Sequence, residues 1–195
     1  HGNDQPQPVM WMDVLDWPLL EFLDCIWLDD GFTGEKAANG RTQATRFADG
    51  HSQALYGSGG MMPTFAPAVP GIGRQTSPLI HYRGTDIRDT LSGLRGHDGD
   101  PHEGASLRFT NPVTGASVFP TMDYGAQLLR PGEQTLFKRE TSSVLYVVLE
   151  GEGETEVAGR TFRWAENDIF VVPNFLWRRH RNVTRNDAVL YSVSD

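Results

Sequence analysis

Gly132-Glu-Gln-Thr-Leu-Phe-Lys138-Arg-Glu140-Thr-Ser-Ser-Val144-Leu-Tyr-Val-Val-Leu-Glu-Gly151 and, further on, Asn167-Asp-Ile-Phe-Val-Val-Pro173-Asn-Phe175-Leu-Trp-Arg178-Arg-His-Arg-Asn182 decide how this chain folds. Each stretch holds a short run rich in Val, Ile, Phe and Tyr, closed at both ends by Gly, Pro or Asn, which is the texture of β-strands and turns. Working outward, the same texture predicts strands at 106–110, 117–129, 143–149, 153–157, 160–164, 168–172, 176–181 and 188–193. Turn signals separate them: Asn111-Pro-Val-Thr-Gly115, Arg130-Pro-Gly132, Gly151-Glu-Gly153 and Glu166-Asn167. Val157-Ala-Gly-Arg160 reads as a tight hairpin. So many short strands at close spacing belong to a sandwich or barrel. In the strand at 176–181, two-residue alternation puts Arg178 and His180 on one face and Arg179 and Arg181 on the other.

Upstream of Ser106 the texture is different. Pro8 to Val14 is apolar and is expected to be a strand. Asp16-Trp17-Pro18 has the form of a helix entry, with Asp16 as N-cap and Pro18 in the first turn, and Leu19, Leu20, Phe22, Leu23 and Ile26 follow at helical spacing. Residues 29–78 have no sustained period and many Gly, Pro, Ser and Asn, so a functional loop or a wrapping segment is expected there. Ile87, Thr90, Leu91 and Leu94 share one helical face, and Gly96 is a natural stop. The chain has 195 residues, enough for one domain or one domain with an extension. Its net charge of −8 argues against a nucleic-acid partner. No apolar run reaches the length of a membrane span, no signal peptide opens the chain, and the single cysteine excludes an internal disulfide. A cytoplasmic location is expected. The opening His1-Gly-Asn-Asp reads like the middle of a protein, and the expectation is a piece of a longer chain.

The two opening stretches fit the frame of the two cupin motifs. The first motif runs Gly, five residues, His-x-His, three or four residues, Glu, six residues, Gly; Gly132 and Gly151 stand at its ends, and Lys138, Glu140 and Val144 stand at the ligand positions. In the second motif Pro173 and Asn182 fit, Asn167 and Phe175 replace the two glycines, and Arg178 stands at the His position. The fold expected is therefore mainly β, a cupin double-stranded β-helix (jelly roll) with an N-terminal extension containing short helices. The frame matches and the ligand set does not, because Lys138 and Arg178 would be cations facing a cation. The expectation is that Lys138, Glu140 and Arg178 form a buried or half-buried charge cluster and that no metal is bound.

Longer segments resemble one family of bicupins. Glu140-Thr-Ser-Ser-Val-Leu-Tyr-Val-Val-Leu-Glu-Gly-Glu-Gly153, Asp168-Ile-Phe-Val-Val-Pro-Asn-Phe-Leu-Trp177 and Asp187-Ala-Val-Leu-Tyr-Ser-Val-Ser-Asp195 resemble the second cupin of gentisate 1,2-dioxygenases, a family that includes salicylate and 1-hydroxy-2-naphthoate dioxygenases. Thr110-Asn-Pro-Val-Thr-Gly115 resembles the family's segment before that cupin, and Pro8-Val-Met-Trp-Met-Asp-Val-Leu-Asp-Trp-Pro-Leu20 resembles its exit from the first cupin. The resemblance covers nearly the whole chain, as the C-terminal half of such a protein, and is weakest across 29–78. It implies three parts: 1–28 as the tail of a first cupin with a helix, 29–105 as a linker region with one short helix, and 106–195 as the C-terminal cupin domain.

The resemblance also implies an activity: an iron(II)-dependent, extradiol-type dioxygenase that opens the ring of gentisate or a related hydroxylated aromatic acid with dioxygen. The family's iron is held by three His of the first cupin, which are missing here. His1 corresponds to the last His of the family's Trp-His-Asp-His-Gly-Asn stretch, a position that contacts substrate rather than the iron; the plainer reading is a frayed chain end. Asp13 matches a family Asp that lines the same pocket and accepts a hydrogen bond from a ring hydroxyl or an active-site His; the plainer reading is a polar residue ending a strand. The chain alone is expected to be inactive. The alternative is a metal-free cupin module with a structural, assembly or small-acid-binding role. Self-association is expected, because the apolar residues at 9–28 need covering. Three other features carry plain expectations: Cys25 packs in a core, Trp11, Trp17 and Trp27 pack against neighbours, and His97-Asp-Gly-Asp-Pro-His-Glu103 is a surface loop.

Overall fold

The computed structural model describes residues 6–26, 50–57 and 76–195. The chain divides into two units, residues 1–45 and 46–195. In the first unit, α1 (Trp17–Phe22) begins after Asp16 and carries Pro in its first turn, as expected, but the Asp16 side chain makes no capping bond to the helix. Residues 8–14 are irregular rather than a strand, and no strand pairs with them among the described residues. None of the described residues of this unit is buried. Cys25 is exposed, its thiol directed at the Leu20 carbonyl, so the core packing expected of it is not found; Trp11 and Trp17 are 58% and 40% exposed. Trp27 lies outside the described residues.

The second unit holds α2 (His51–Tyr56), α3 (Gly84–Leu94) and eight strands: β1 (Ala105–Arg108), β2 (Asp123–Leu129), β3 (Val144–Glu150), β4 (Glu152–Val157), β5 (Arg160–Ala165), β6 (Ile169–Val172), β7 (Arg178–Asn182) and β8 (Ala188–Ser194). Every strand expected from residue 106 onward is present, except that 117–122 stays irregular before β2. Between 29 and 105 there are two described helices where one is expected; α2 is a single turn and half, too short to leave a periodic signal. The strands form two antiparallel sheets, ordered β1-β2-β8-β3-β6 and β5-β4-β7, which is the jelly roll.

Two clusters hold it together. Leu129, Val144, Tyr146, Val148, Val172, Ala188 and Leu190 of the first sheet meet Trp164 of the second. On the outer face of the first sheet, Leu91 of α3 is fully buried with Ala105, Ala126, Leu128 and Val189. Each such aliphatic side chain contributes roughly 1.5–3 kcal/mol on leaving water. The β4–β5 hairpin closes through Ala158 and Gly159, at φ 50° and 78°, with Val157 opposite Arg160, a two-residue turn of the primed kind. Gly151, at the end of the first motif, has φ 82°, and a Cβ there would meet the Asp187 carbonyl oxygen at 2.8 Å. Asn182, the last residue of the second motif, is buried: its amide donates to the Leu129 and Asn186 carbonyls and its oxygen accepts from the Thr184 backbone and hydroxyl. The motif frame thus survives as architecture.

Candidate functional site: a charged ring in the barrel cavity

β7 alternates as expected, with Arg178, His180 and Asn182 buried, Arg179 half-buried and Arg181 exposed. The extended segment 134–140 lies beside it, bridged at Gln134–Arg181 and Lys138–Arg178, so that Lys138 and Glu140 face the same interior as Arg178. Glu103 enters from the turn before β1. There Asp100 bridges Gly104, and the Asp100 carboxylate accepts the His102 and Glu103 amides. The four charges close into a ring: Lys138 Nζ lies 2.5 Å from Glu103 Oε1 and 3.0 Å from Glu140 Oε2, and Arg178 lies 2.6 Å from Glu140 Oε1 and 3.3 Å from Glu103 Oε1. The Arg178 Nε also donates to the Tyr146 hydroxyl at 2.7 Å, and its guanidinium lies 5.6 Å from the centre of that ring.

The electrostatics follow from this closure. Burial alone would push the Arg178 guanidinium down, but Tyr146, Glu103 and Glu140 outweigh it and the net shift is upward. Lys138 behaves in the same way, burial opposing Glu103 and Glu140 and losing to them. Burial raises the Tyr146 phenol, with the Arg178 charge working against the rise. His180, fully buried behind the ring, is pushed down to about 3 by burial and by the positive charges of Arg178 and Lys138. Its Nδ1 meets the Thr155 hydroxyl at 2.8 Å, and that hydroxyl accepts the Trp164 indole N–H at 2.9 Å, which leaves it free to donate to Nδ1. The proton of the neutral ring then sits on Nε2, which has no partner.

The expected cluster of Lys138, Glu140 and Arg178 is therefore present, and sequence reasoning missed two of its members. Glu103 belonged to the presumed surface loop, and Tyr146 read as one apolar strand residue among several. Asp13 is exposed and precedes α1 in the first unit, and His1 lies outside the described residues, so the two sequence-derived site residues are not seen together.

The donor set does not fit an iron(II) ion. Such an ion takes neutral imidazoles and carboxylates around open coordination positions. Here two of the ring's positions are cations, and both Glu140 oxygens already face Lys138 and Arg178. His180 points its acceptor nitrogen at Thr155, away from the ring. Among the described residues no group of three or more His, Cys, Asp and Glu comes together as a metal site.

Comparison with known proteins gives a consistent result. The cupin domain family matches residues 125–194. Over its whole length the chain is 32% identical to a 5-aminosalicylate 1,2-dioxygenase from a Comamonas species, spanning 49% of that protein. It is also 32% identical over its whole length to gentisate 1,2 dioxygenase 1 from Aquipseudomonas alcaligenes, spanning 52%. The crystal structure of salicylate 1,2-dioxygenase from Pseudoaminobacter salicylatoxidans, in adduct with gentisate, shares its fold: TM-score 0.73 at 23% identity, over 92% of this chain and 48% of that one. The chain spans about half the length of the curated relatives it matches.

Proposed function

Since this chain belongs to the gentisate 1,2-dioxygenase family of cupin proteins, we propose that it is the C-terminal half of an extradiol-type ring-cleaving dioxygenase acting on gentisate or a related hydroxylated aromatic acid. The observation that carries this reading is the end-to-end likeness to dioxygenases of about twice its length. In this reading residues 1–28 are the tail of a first cupin, 29–105 connect, and 106–195 are the second cupin. Iron(II) belongs to the upstream cupin and not to this one, where a closed ring of ion pairs stands at the motif's ligand positions. His1 and Asp13 complete the upstream pocket, Asp13 by accepting a hydrogen bond from a ring hydroxyl or an active-site His. The protein works in the cytoplasm as a homo-oligomer, without nucleic acid or membrane; among the described residues no helix is long and apolar enough to cross one.

The test has two arms. The 195-residue chain, loaded anaerobically with iron(II) and offered gentisate and salicylate, takes up no stoichiometric iron and consumes no oxygen. A reading frame extended upstream through a His-x-His pair binds iron and releases ring-opened product, and Asp13→Asn in that longer protein lowers kcat/KM by about a hundredfold. Product from the short chain would overturn the assignment of iron to the upstream half; an inert long chain would overturn the dioxygenase reading. The second reading is a metal-free module with a structural, assembly or small-acid-binding role; the charge ring favours its metal-free, structural form, and the reading predicts the inert long chain.

A further inference from the structure

The cavity in front of the charge ring has a second wall. Ser106 of β1, Gln127 of β2, and Ser192 and Ser194 of β8 all line it, on three neighbouring strands in which Ser106 stands opposite Gln127. Inward positions of a jelly roll are ordinarily apolar, as Leu129 of β2 and Leu190 of β8 are. Here four inward positions are neutral hydrogen-bonding groups. Gln127 is 4% exposed, and its side-chain Nε2 donates to nothing. An unmade bond from a buried amide costs about 1–3 kcal/mol, which makes this donor a request for an acceptor. The cavity it borders measures about 360 Å³, within the range of small-molecule sites.

We propose that this cavity binds a small, neutral, polyhydroxylated solute, a molecule of the size and chemistry of a monosaccharide or cyclitol. The ring decides the charge. It carries two cations and two carboxylates, each already paired with two opposite charges, and Arg108, which also lines the cavity, is paired with Asp123, so the lining offers no unpaired charge. An acid entering the cavity would meet Glu103 and Glu140, and an amine would meet Lys138 and Arg178; either would break existing pairs to be held. A hydroxyl needs no such exchange, because it donates and accepts, as the three serine hydroxyls facing it do. With the Gln127 amide turned toward the cavity that it lines, one ligand oxygen accepts from Nε2 and satisfies the orphan donor. This inference goes beyond the dioxygenase reading and does not rest on it, since it concerns the second cupin's own cavity.

The experiment is saturation-transfer NMR on the whole chain with four probes of one shape and different charge: myo-inositol, glucose, glucuronate and glucosamine. The expected result is saturation of the two neutral probes, with the acid and the amine at least about tenfold weaker. Gln127→Leu, which removes the unsatisfied donor, weakens the neutral probes about tenfold while leaving the thermal midpoint unchanged or higher. Absence of neutral-probe binding would mean that ordered water alone satisfies Gln127, and would overturn the proposal. Equal binding of the charged probes, or binding untouched in a folded Gln127→Leu variant, would do the same by placing the solute elsewhere. If the variant does not fold, the wild-type selectivity among the four probes decides by itself.

Discussion

Arg178 ties three walls of the barrel together: Glu103 from the turn before β1, Glu140 from the segment beside β7, and Tyr146 from β3. Replacing it with Met keeps much of the volume and leaves the phenol and Glu140 Oε1 without their cation, while Glu103 Oε1 keeps Lys138. Breaking a buried pair from one side costs more than the pair contributes, so Arg178→Met is expected to lower the unfolding free energy by about 3–5 kcal/mol in urea titrations. Lys138→Met is expected to cost less, because its side chain is 35% exposed and water screens what remains. His180 supplies a pH test at the same scale. Its folded pKa is held at about 3, against 6.5 for an unperturbed His. Between those values the unfolded chain binds a proton that the fold refuses, so stability is complete above pH 6.5 and falls as the pH drops toward 3. The slope from this residue is at most about 1.4 kcal/mol per pH unit. His180→Gln is expected to flatten that part of the acid profile, and the imidazole resonances of the wild type should still report a neutral ring at pH 5; a charged ring there would refute the assignment.

At the scale of elements, the β4–β5 hairpin is under visible strain, since Ala158 holds a left-handed conformation at φ 50° that its Cβ disfavours. Asn tolerates that region, and Asn-Gly is the preferred pair for such a turn. Ala158→Asn is therefore expected to raise stability by about 0.5–1 kcal/mol, measured as a shift of the urea midpoint with an unchanged slope. The same hairpin shows what a sequence discloses. Val157-Ala-Gly-Arg160 and the strands around it were legible because a turn and two alternating runs are local patterns, and α3 was legible from one apolar face ending before Gly96. Where pairing partners decide, the pattern misleads: 8–14 alternates too little and has no described neighbour to pair, and 117–122 is apolar enough for a strand yet stays irregular. The ring was half legible for the same reason. Lys138, Glu140 and Arg178 sit at fixed offsets within two motifs, whereas Glu103 reaches Arg178 across 75 residues from a turn whose own composition spoke only of a surface loop. The unpaired amide of Gln127 left no mark in the sequence at all, because satisfaction of a donor is a property of the packed interior.

At the scale of the whole molecule, the two units differ in how they treat apolar surface. The second buries its aliphatic residues in two clusters, while the first leaves Met10, Trp11, Leu15, Phe22 and Leu23 exposed by 58% or more, with no buried residue among those described. Exposed apolar side chains gathered in one short stretch are a surface that water disfavours. In the longer protein proposed above, an upstream cupin would lie against them. Without that half, the same stretch of a second copy is expected to cover the surface, since most homo-oligomers close through the same patch on both subunits. The 195-residue chain is therefore expected to show a concentration-dependent mass in light scattering, rising above the monomer in the micromolar range. Met10→Ser combined with Phe22→Ser should return it toward the monomer without changing the unfolding midpoint of the jelly roll, whose core clusters include neither residue. A wild-type chain that stays a monodisperse monomer at every concentration would remove the argument for association, and with it the need for an upstream half to cover this face.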